Sequence, residues 1–396
     1  MIYTIYMDIL IIGGGASGMM AALAASEKTE NNITIVERQN RVGRKLLSTG
    51  NGRCNLTNTH ASPEHYHGLN SDFASYALNS FPPASVLEYF RSLGLVCSEQ
   101  YGGRVYPLSD SANSVLDVLR FACEAKGIRI ETGITVTGAC FRDGRFTAFA
   151  DNRVYRADRL VIACGGKAGG KLGGVSFGYE LLKSFGHHCT KLYPALVPIT
   201  VCEDYPKSLK GVRADASVSL NGKTCAGEIQ FTENGISGPA AFDVSREAAV
   251  NGGMITINFL TGDVSDILFS RRSALPSLDT GSILNGIVHN RLSTVLVKYC
   301  GLKPSSSVSS LSDKDIYKIS AACSDFRLTV KGVGNFDNAQ ITVGGIDTSE
   351  FSPCTMESLL VPGLYACGEV LDIDADCGGY NLQWAWASGH LAGISL

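Results

Sequence analysis

The segment 8–37 constrains the fold of this chain more than any other part of its sequence. A short apolar run, DILII, leads into the glycine-rich turn GGGASG and then into MMAALAASEK, which is rich in alanine. A second apolar run at 33–36 ends at Glu37. The order of strand, glycine turn, helix and strand predicts the beginning of a parallel βαβ unit and therefore an α/β fold.

The glycines of this turn follow the spacing Gly13-x-Gly15-x-x-Gly18. Absent side chains let the backbone approach a pyrophosphate, while the helix N-terminus offers free N–H groups and a partial positive charge. Glu37 stands at the end of the second strand, from where a carboxylate reaches ribose hydroxyls. The pattern predicts a dinucleotide site; the alternative is a helix-packing turn with a solvated glutamate.

Charge and composition narrow the class of protein. The 396 residues include 34 Lys+Arg against 37 Asp+Glu, so the chain lacks the basic surplus of a phosphate-backbone binder, and no nucleic acid is expected as a partner. No apolar run reaches the ~20 residues of a membrane-spanning helix, so no membrane partner is expected either. The 13 cysteines form no C-x-x-C pair, which argues against a disulfide framework and favours a reducing cytoplasm.

The hydrophobic pattern changes several times along the chain. Helical spacing at 111–126, with Ser111 as the N-cap, precedes strand-like pieces at 128–136, 145–149 and 153–156 and an apolar strand at 160–164. Period-two alternation follows from about 195, and Asn221-Gly222 predicts a hairpin there. Helical spacing returns after 264, where Ser312 and Asp315 suggest a capping box. The sequence thus predicts an antiparallel β region that carries a small helical insertion.

The segment 42–58, VGRKLLSTGNGRCNLTN, is amphipathic at neither the helical nor the strand period. It combines glycines with many hydrogen-bond donors, and ordered loops of this kind usually bind a ligand. Arg44, Lys45 and Arg53 could meet phosphates, and Asn51 and Asn55 could satisfy polar atoms of a ring. The alternative is a solvated surface loop held by Asx turns.

The segment 363–389 contains an acidic turn, Gly378-Gly379 and a helix with two tryptophans. Its three aspartates lack the glycine and the glutamate of a calcium loop, so no metal is expected. A second site of glycines before a helix N-terminus is the simpler interpretation. His65-x-His67 and His187-His188 have no cysteine or carboxylate at zinc spacing, and we interpret them as satisfied surface or loop histidines.

No residue pattern identifies the catalytic group. Cys54 could be a redox thiol, but no second cysteine lies near it in the sequence, and a lone buried cysteine more often serves packing. Tyr193 and Arg327 are further candidates because they lie near the predicted domain junctions. Cys54, Tyr193 and Arg327 therefore remain weak candidates for catalysis.

Five blocks together resemble one protein family. They are IIGGGASG, the glutamate at 37, GRKLLSTGNGRCNLTN, GEIQFTENGISGPA and GEVLDIDADCGGYNLQWAWASG, in the same order as in the family. The chain resembles the BaiN-like or aminoacetone-oxidase-like family of NAD(P)/FAD-dependent oxidoreductases, which are flavoproteins. The resemblance implies a glutathione-reductase-type FAD-binding Rossmann domain in two segments, with an inserted antiparallel β domain that itself carries a small helical insertion. The implied boundaries are 1–194 and 344–396 for the FAD-binding domain, 195–263 and 326–343 for the β-rich domain, and 264–325 for the helical insertion.

The resemblance also implies which residues hold FAD. In this sequence the pyrophosphate and ribose contacts fall on the glycine turn and on the end of the second strand, and the flavin contacts fall on the loop and the C-terminal segment. The complete predicted set is Gly13, Gly15, Ala16, Ser17, Gly18, Glu37, Arg38, Lys45, Gly52, Arg53, Cys54, Asn55, Val136, Ala163, Cys164, Gly165, Gly166, Gly368, Glu369, Gly379, Tyr380, Asn381 and Leu382. Ala163-Cys164-Gly165 departs from the usual Ala-Thr-Gly turn, so the threonine hydroxyl contact is lost.

The expected activity is hydride transfer between flavin N5 and a small organic substrate. The family implies either reduction of an unsaturated ring compound driven by NADH or NADPH, or oxidation of a small amine by O2. An electron-transfer or RNA-modifying role is a further alternative. The run GGKAGGKLGG at 165–174 is not followed by a second acidic-ended βαβ unit, so NADH or NADPH is expected to bind only transiently.

Overall fold

The computed structural model describes residues 6–27, 31–151 and 153–396. The chain divides into two compact units. The first unit contains the residues up to 193 together with 336–396, and the second contains 194–335. The five-segment division drawn from the sequence is finer than these units and stays a prediction.

The first unit begins with eleven of the described strands. They are β1 (Asp8–Ile12), β2 (Asn32–Glu37), β3 (Thr57–Asn58), β4 (Tyr66–His67), β5 (Cys97–Glu99), β6 (Arg104–Pro107), β7 (Arg129–Thr132), β8 (Val136–Arg142), β9 (Arg145–Ala150), β10 (Arg153–Ala157) and β11 (Arg159–Ile162), and β12 (Tyr193–Ala195) crosses the boundary to the second unit. Its helices in the same stretch are α1 (Ala16–Ala25), α2 (Ala74–Ser80), α3 (Pro83–Ser92), α4 (Ala112–Ala125) and α5 (Phe177–Ser184).

The remaining elements belong to the second unit and then to the C-terminal part of the first. The second unit contains β13 (Ile199–Val201), α6 (Tyr205–Leu209), β14 (Arg213–Leu220), β15 (Lys223–Phe231), β16 (Gly235–Ser237), α7 (Pro239–Asn251), β17 (Met254–Asn258), α8 (Ser265–Ala274), α9 (Asn290–Tyr299), α10 (Asp313–Ser324) and β18 (Phe326–Val333). The first unit then continues with β19 (Ile341–Val343), β20 (Leu364–Ala366), β21 (Asp374–Ala375) and α11 (Tyr380–Ile394).

A parallel sheet forms the centre of the first unit. Its strand order is β20-β11-β1-β2-β7, and each neighbouring pair is parallel. The apolar run of β1 is almost fully buried because helices cover parallel sheets on both faces. This order places the carboxyl ends of β1, β2, β11 and β20 at one edge, where ligands of such sheets bind. The predicted Rossmann-type α/β fold is confirmed, with β8, β9 and β10 as a separate antiparallel sheet.

Helices α1 and α11 pack at unusually close range. A Cβ atom on Gly389 would lie 2.5 Å from Ser17 O, and one on Gly393 would lie 2.4 Å from Ala21 O. These two glycines stand one turn apart on α11, so the backbones of the two helices can touch. The close contact fixes the N-terminus of α11 relative to the glycine turn that begins α1.

The second unit is built around a closed barrel. Its strand order is β13-β16-β15-β14-β17-β18, and the paired strands are antiparallel. Asn221 and Gly222 have φ values of 48° and 89° and join β14 to β15, as a two-residue hairpin requires. Helices α8, α9 and α10 lie between β17 and β18 in sequence, and the capping box of Ser312 and Asp315 is present at the start of α10.

Within 6–27, 31–151 and 153–396, no helix has both the length and the apolar character needed to cross a membrane. Over the same ranges, no group of three or more His, Cys, Asp or Glu side chains is arranged to hold a metal ion.

Candidate functional site

The glycine turn between β1 and α1 is shaped by close contacts at two of its glycines. Gly13 has φ +113° and donates its N–H to Val36 O at 2.9 Å. A Cβ atom on Gly13 would lie 2.3 Å from Ala163 O, and one on Gly18 would lie 2.0 Å from Gly13 O. At Gly15, in contrast, a Cβ atom would meet no atom within 4 Å. The turn therefore leaves open space in front of the α1 N-terminus, where the first N–H groups of a helix lack intrahelical acceptors.

Glu37 closes this turn from the end of β2. Its Oε2 accepts the N–H of Gly14 at 2.9 Å, and its Oε1 accepts the N–H of Gln39 at 2.7 Å. An ionised carboxylate has about four acceptor positions, so both oxygens can accept a further hydrogen bond from a ligand hydroxyl. The structure thus places Glu37 beside the glycine turn, as the βαβ pattern predicts.

The loop 42–58 is ordered by its backbone. Gly43 donates its N–H to Gly14 O at 2.9 Å, which docks the loop on the glycine turn. Asn51 and Cys54 both have positive φ, at 56° and 61°, a conformation that non-glycine residues adopt only when the surroundings impose it. This loop has a specific shape that the fold maintains at a cost in backbone strain.

The arginines predicted to meet the cofactor bind other parts of the protein. Arg53 is paired with Asp110, donates to Gln100 Oε1 at 3.2 Å and lies 4.2 Å above the Tyr106 ring. Arg38 donates to Gly173 O at 3.3 Å, and Arg44 donates to Lys171 O at 3.1 Å. These side chains hold the loop and the glycine-rich run 165–174 in place in the conformation described.

Lys45, Gly166 and Glu369 come together from three separate segments. Lys45 Nζ lies 2.6 Å from Glu369 Oε2, which also accepts the N–H of Gly166 at 3.3 Å. The other carboxylate oxygen, Oε1, accepts the N–H of Thr342 at 2.9 Å. The sequence did not indicate Thr342, because this residue contributes a backbone N–H, which every residue except proline has.

The start of α11 faces the loop at Asn55. Gly379 is the N-cap residue with φ +104°, and a Cβ atom on it would lie 2.5 Å from Thr57 O and 2.9 Å from Asn55 Oδ1. The side chain of Asn381 folds back on the preceding turn, with Oδ1 accepting from Ala375 N at 3.0 Å. Asn55 Oδ1 is itself buried and has no hydrogen-bond partner within the described ranges.

The remaining predicted cofactor residues come from three places: the segment after β11, the first turn of α1 and the separate sheet that begins with β8. Ala163 follows β11, and Gly165 has φ +71° with no atom within 4 Å of where its Cβ would lie. Ser17 is buried, and its hydroxyl donates to Cys367 O at 3.5 Å. Val136 is buried at the start of β8, in the separate antiparallel sheet.

The three weak catalytic candidates have very different surroundings. Cys54 is fully buried, and burial raises the pKa of its thiol to about 12, so the reactive thiolate is disfavoured. Tyr193 belongs to the first unit and has Lys191 Nζ 4.9 Å from its ring centroid. Arg327 belongs to the second unit, is exposed and pairs with Asp325 at 2.7 Å; that hydrogen bond raises its pKa. These surroundings give no support to a catalytic role.

Both predicted histidine pairs bind carboxylates that are distant in sequence. His65 and His67 contact Asp376 at 3.1 and 3.0 Å, and His187 and His188 both contact Glu350. The local sequence held no signal for either partner, since 311 residues separate His65 from Asp376.

The site has the features that FAD requires. Gly15 and Gly165 leave open space where side chains would otherwise intrude, and the N-terminus of α1 offers N–H groups for a pyrophosphate. The unpaired Asn55 Oδ1 needs a donor, and an unsatisfied buried acceptor costs roughly 1–3 kcal/mol. The imide N–H of a flavin is a donor of the required kind. The residues present therefore fit FAD.

Comparison with known proteins supports the same assignment. The chain is 38% identical to the 3-dehydro-bile acid delta(4,6)-reductase of Clostridium scindens, over 97% of each chain. It is 31% identical to the ribosomal RNA dihydrouridine synthase of Escherichia coli over 96% of each chain. The enzyme of the same name from Haemophilus influenzae is 28% identical and covers 99% of this chain and 98% of its own.

The family resemblance drawn from the motifs is confirmed, and the protein is an FAD-dependent oxidoreductase. The family model described as HI0933-like protein Rossmann domain matches residues 7–395. The chain therefore belongs to the HI0933-like Rossmann-domain family.

Proposed function

We propose that this protein reduces a carbon–carbon double bond, conjugated with a carbonyl group, in a small ring compound. The observation that carries the proposal is the full-length match to a bile-acid reductase at 38% identity. Dihydrouridine is uridine with one ring double bond saturated, so the names of both kinds of relative describe the same change of bonding. A shared bond change in two dissimilar substrates indicates that the common architecture serves ring reduction.

Each part of the site has a task in this reaction. The glycine turn and the α1 N-terminus bind the pyrophosphate, and Glu37 binds a ribose hydroxyl. Bound FAD supplies hydride transfer at N5 of its ring. Lys45 and the α11 N-terminus provide positive charge, which favours the reduced, negatively charged form of the ring. Glu369 holds Lys45 in position through the contact at 2.6 Å.

NADH or NADPH is proposed as a transient donor. The strands of the barrel in 194–335 pair antiparallel, whereas a dinucleotide-binding unit needs adjacent parallel strands. A resident pyridine nucleotide would therefore lack a dedicated Rossmann-type domain in the second unit. Brief binding at the flavin face and release after hydride transfer agree with this arrangement.

A small ring substrate is favoured over RNA by the charge of the second unit. Residues 194–335 include 14 Lys and Arg against 13 Asp and Glu. A surface that neutralises many phosphates needs a clear basic surplus. The RNA-modifying role predicted as an alternative thus has the support of a relative's name but not of the net charge of residues 194–335.

The test combines a reduction assay with three substrate classes. Purified holoprotein is mixed anaerobically with NADH and then with NADPH while the visible flavin absorbance is followed. We expect one nucleotide to bleach the flavin rapidly, and a conjugated cyclic enone of the bile-acid type to restore the absorbance. If only a ribosomal RNA fragment restored the flavin absorbance, the substrate would be RNA and the proposed small ring substrate would be wrong. Reduction by aminoacetone with reoxidation by O2, without response to either nucleotide, would overturn it in favour of an amine oxidase.

A further inference from the structure

One cation at the turn before α11 finds no acceptor in the described part of the chain, and the proposed function does not use it. Arg104 is the first residue of β6 and is partly buried. Within 6–27, 31–151 and 153–396, its guanidinium makes no hydrogen bond and no ion pair. A guanidinium carries five N–H donors, and donors that are withdrawn from water without an acceptor cost free energy. An oxygen atom of a bound ligand would satisfy them.

The strand pairing directs the Arg104 side chain toward Gly378. Arg104 stands opposite Asn58 in the antiparallel pair of β6 and β3, and the side chains of directly opposed residues lie on the same face of a sheet. Asn58 is buried, and its Nδ2 donates to Gly378 O at 2.9 Å. A Cβ atom on Gly378 would lie 3.5 Å from Asn58 Nδ2 and also 3.5 Å from Arg104 Nε. The guanidinium therefore lies against the first of the two glycines that precede α11.

The second of these glycines borders the buried acceptor to which the flavin is proposed to bind. A Cβ atom on Gly379 would lie 2.9 Å from Asn55 Oδ1, which has no hydrogen-bond partner among the described residues. Arg104 Nε and Asn55 Oδ1 thus lie beside two consecutive residues of one turn. We therefore expect a substrate that binds next to the flavin at this turn to lie within reach of the guanidinium.

The hairpin that carries Arg104 is open to solvent at its tip but has a fixed shape. Tyr101, at the tip, is 97% exposed, and Gly102 is exposed as well. Asn58 Nδ2, which binds Gly378, also donates to Gly102 O at 3.0 Å. Gly103 has φ +73°, and a Cβ atom on it would lie 2.5 Å from Asn58 Oδ1. A substrate can therefore approach from solvent on this side while the backbone keeps the guanidinium in position.

The carboxylate that is closest to this turn in sequence does not neutralise Arg104. Both oxygens of Asp376 are contacted by histidines, Oδ2 by His65 Nδ1 at 3.1 Å and Oδ1 by His67 Nε2 at 3.0 Å. A fixed cation whose charge is not cancelled by a neighbouring anion attracts an oxygen most strongly when that oxygen gains negative charge. The surroundings of Arg104 are therefore suited to an oxygen whose charge increases during a reaction.

We propose that Arg104 binds the carbonyl oxygen of the substrate and stabilises the negative charge that this oxygen gains when the conjugated double bond is reduced. This assignment rests on the proposed function, in which the pyridine nucleotide supplies the hydride. The hydride forms a C–H bond at the carbon of the double bond farther from the carbonyl group, and the π electrons shift toward the oxygen to give an enolate. A proton from water then forms the second C–H bond and restores the carbonyl group. Arg104 keeps its own protons, and the substrate gains two electrons and two protons.

The first test separates the two half-reactions in Arg104→Met. Holoprotein is reduced anaerobically by the pyridine nucleotide and is then mixed with a cyclic enone that has no carboxylate. We expect reduction of the flavin within about twofold of the wild-type rate, and reoxidation by the enone about 10²–10³-fold slower, the effect of removing one oxyanion-binding donor. Arg91→Met is the matched control, because Arg91 is exposed at the end of α3 and should leave both rates unchanged.

The second test measures binding without turnover. An ionised steroidal phenol resembles an enolate in shape and charge, and it accepts no hydride. Difference absorbance shows how much of the phenol is ionised when it is bound to oxidised holoprotein at about pH 8, below the ordinary phenol pKa of about 10. We expect the wild type to bind the phenolate, and Arg104→Met to bind the phenol at least about tenfold more weakly and in its neutral form. The FAD content and the midpoint potential of the flavin should be the same in both proteins.

The outcomes separate this assignment from the proposed function. If the enone reoxidises the wild type and Arg104→Met at equal rates, the role of Arg104 is wrong and the proposed function stands. If the variant changes the FAD content or the midpoint potential but still binds the phenolate, Arg104 contacts the flavin and the assignment to the substrate is wrong. If the variant cannot be isolated folded, a phenol that stays neutral on the wild type is sufficient to overturn the assignment. If no cyclic enone reoxidises the reduced wild type, both proposals fall together.

Discussion

Lys45 Nζ lies 2.6 Å from Glu369 Oε2, and this ion pair joins the loop 42–58 to the C-terminal segment across 324 residues of sequence. The side chains are 31% and 21% exposed, so solvent screens the pair less than it would on an open surface. The same carboxylate accepts the N–H groups of Gly166 and Thr342. One glutamate therefore fixes three segments of the proposed cofactor site.

We expect Lys45→Met to weaken FAD binding about tenfold and to lower the free energy of unfolding by roughly 1–2 kcal/mol, below the middle of the range for a hydrogen bond to a charged group because both side chains are partly exposed. The positive charge at the proposed flavin site is lost, and Glu369 keeps only its amide donors. Fluorescence titration with FAD and thermal unfolding of the apoprotein measure the two effects separately.

Lys171→Met is the matched control for this change. Lys171 contacts Arg44 through its backbone carbonyl, so loss of its ammonium should leave both quantities near wild type. Equal weakening of FAD binding by the two variants would show that only the net positive charge matters, and that the Lys45–Glu369 geometry does not.

The second histidine pair leads to a prediction about acid stability. His187 is buried, with Nδ1 2.9 Å from Glu350 Oε2 and Nε2 2.9 Å from Ser358 Oγ. Burial lowers the pKa of His187 more than the contacts with Glu350 raise it. The unfolded chain protonates at the ordinary value of about 6.5, so it binds more protons than the folded chain below that pH. We therefore expect the free energy of unfolding to fall as the pH drops below about 6.5.

Glu350 causes a second decrease in the free energy of unfolding at lower pH. Burial alone would raise its pKa, but hydrogen bonds from His188 and His187 outweigh this effect and lower it. A carboxyl with a lowered pKa contributes stability above its ordinary value, and this contribution is lost as the pH falls through the folded value. The free energy of unfolding should therefore decrease over two overlapping pH ranges, first through His187 and then through Glu350.

Two histidine variants test this assignment. His187→Gln should lose stability at pH 7.5 and should show a flatter dependence between about pH 6.5 and 5, because the group that titrates is gone. His188 has a raised pKa through its hydrogen bond with Glu350, which opposes the acid loss, so His188→Gln should steepen the dependence. Denaturant unfolding at several pH values measures the slopes. The same slope in wild type and His187→Gln would contradict the prediction.

The burial of the Cys54 thiol allows its proposed catalytic role to be tested. Its pKa is raised to about 12 by burial, whereas Cys202 and Cys354 are exposed. We expect iodoacetamide at pH 7.5 to modify Cys202 and Cys354 within minutes and to leave Cys54 unmodified, as peptide mass analysis would show. We also expect Cys54→Ala to retain reduction of the flavin by the pyridine nucleotide. Rapid modification of Cys54 together with loss of flavin reduction in the variant would restore a redox role.

The sequence predicted those features of the structure that are determined by residues close together in the chain. The β1–α1–β2 unit, the hairpin at Asn221 and the capping box at Ser312 are set by residues within a few positions of each other, and all three are present. The contact of His65 with Asp376 depends on the pairing of two strands of two residues each. A sequence pattern of two residues is too short to predict such a pairing.

The glycine turn shows the same limit within a single motif. The spacing alone predicts that all three glycines serve one purpose. The contacts in the structure show that they serve two different purposes. Gly13 and Gly18 are required by backbone packing, with Ala163 O and Gly13 O within 2.3 Å of the positions where their Cβ atoms would lie. Gly15 alone leaves open space. Only the three-dimensional neighbours distinguish a packing glycine from a binding one.

Gly15→Val should therefore separate cofactor binding from folding. Gly15 has φ −84°, which a valine adopts without strain, and no atom lies within 4 Å of the position of a new Cβ. The side chain would occupy the space in front of α1 where the pyrophosphate is proposed to bind. We expect FAD affinity to fall at least about tenfold while the apoprotein loses no more than about 1 kcal/mol, the cost of a poor N-cap residue. Flavin content after purification and thermal unfolding of the apoprotein measure both.

Gly138→Val is the matched control, because a Cβ at Gly138 in β8 also meets no atom within 4 Å and valine suits a strand. It should retain FAD. If Gly15→Val bound FAD as tightly as this control, the pyrophosphate would have to lie elsewhere, and the assignment of the α1 N-terminus as its binding site would be wrong. If both variants lost FAD, the cause would be a general loosening of the first unit, which the unfolding measurement would reveal.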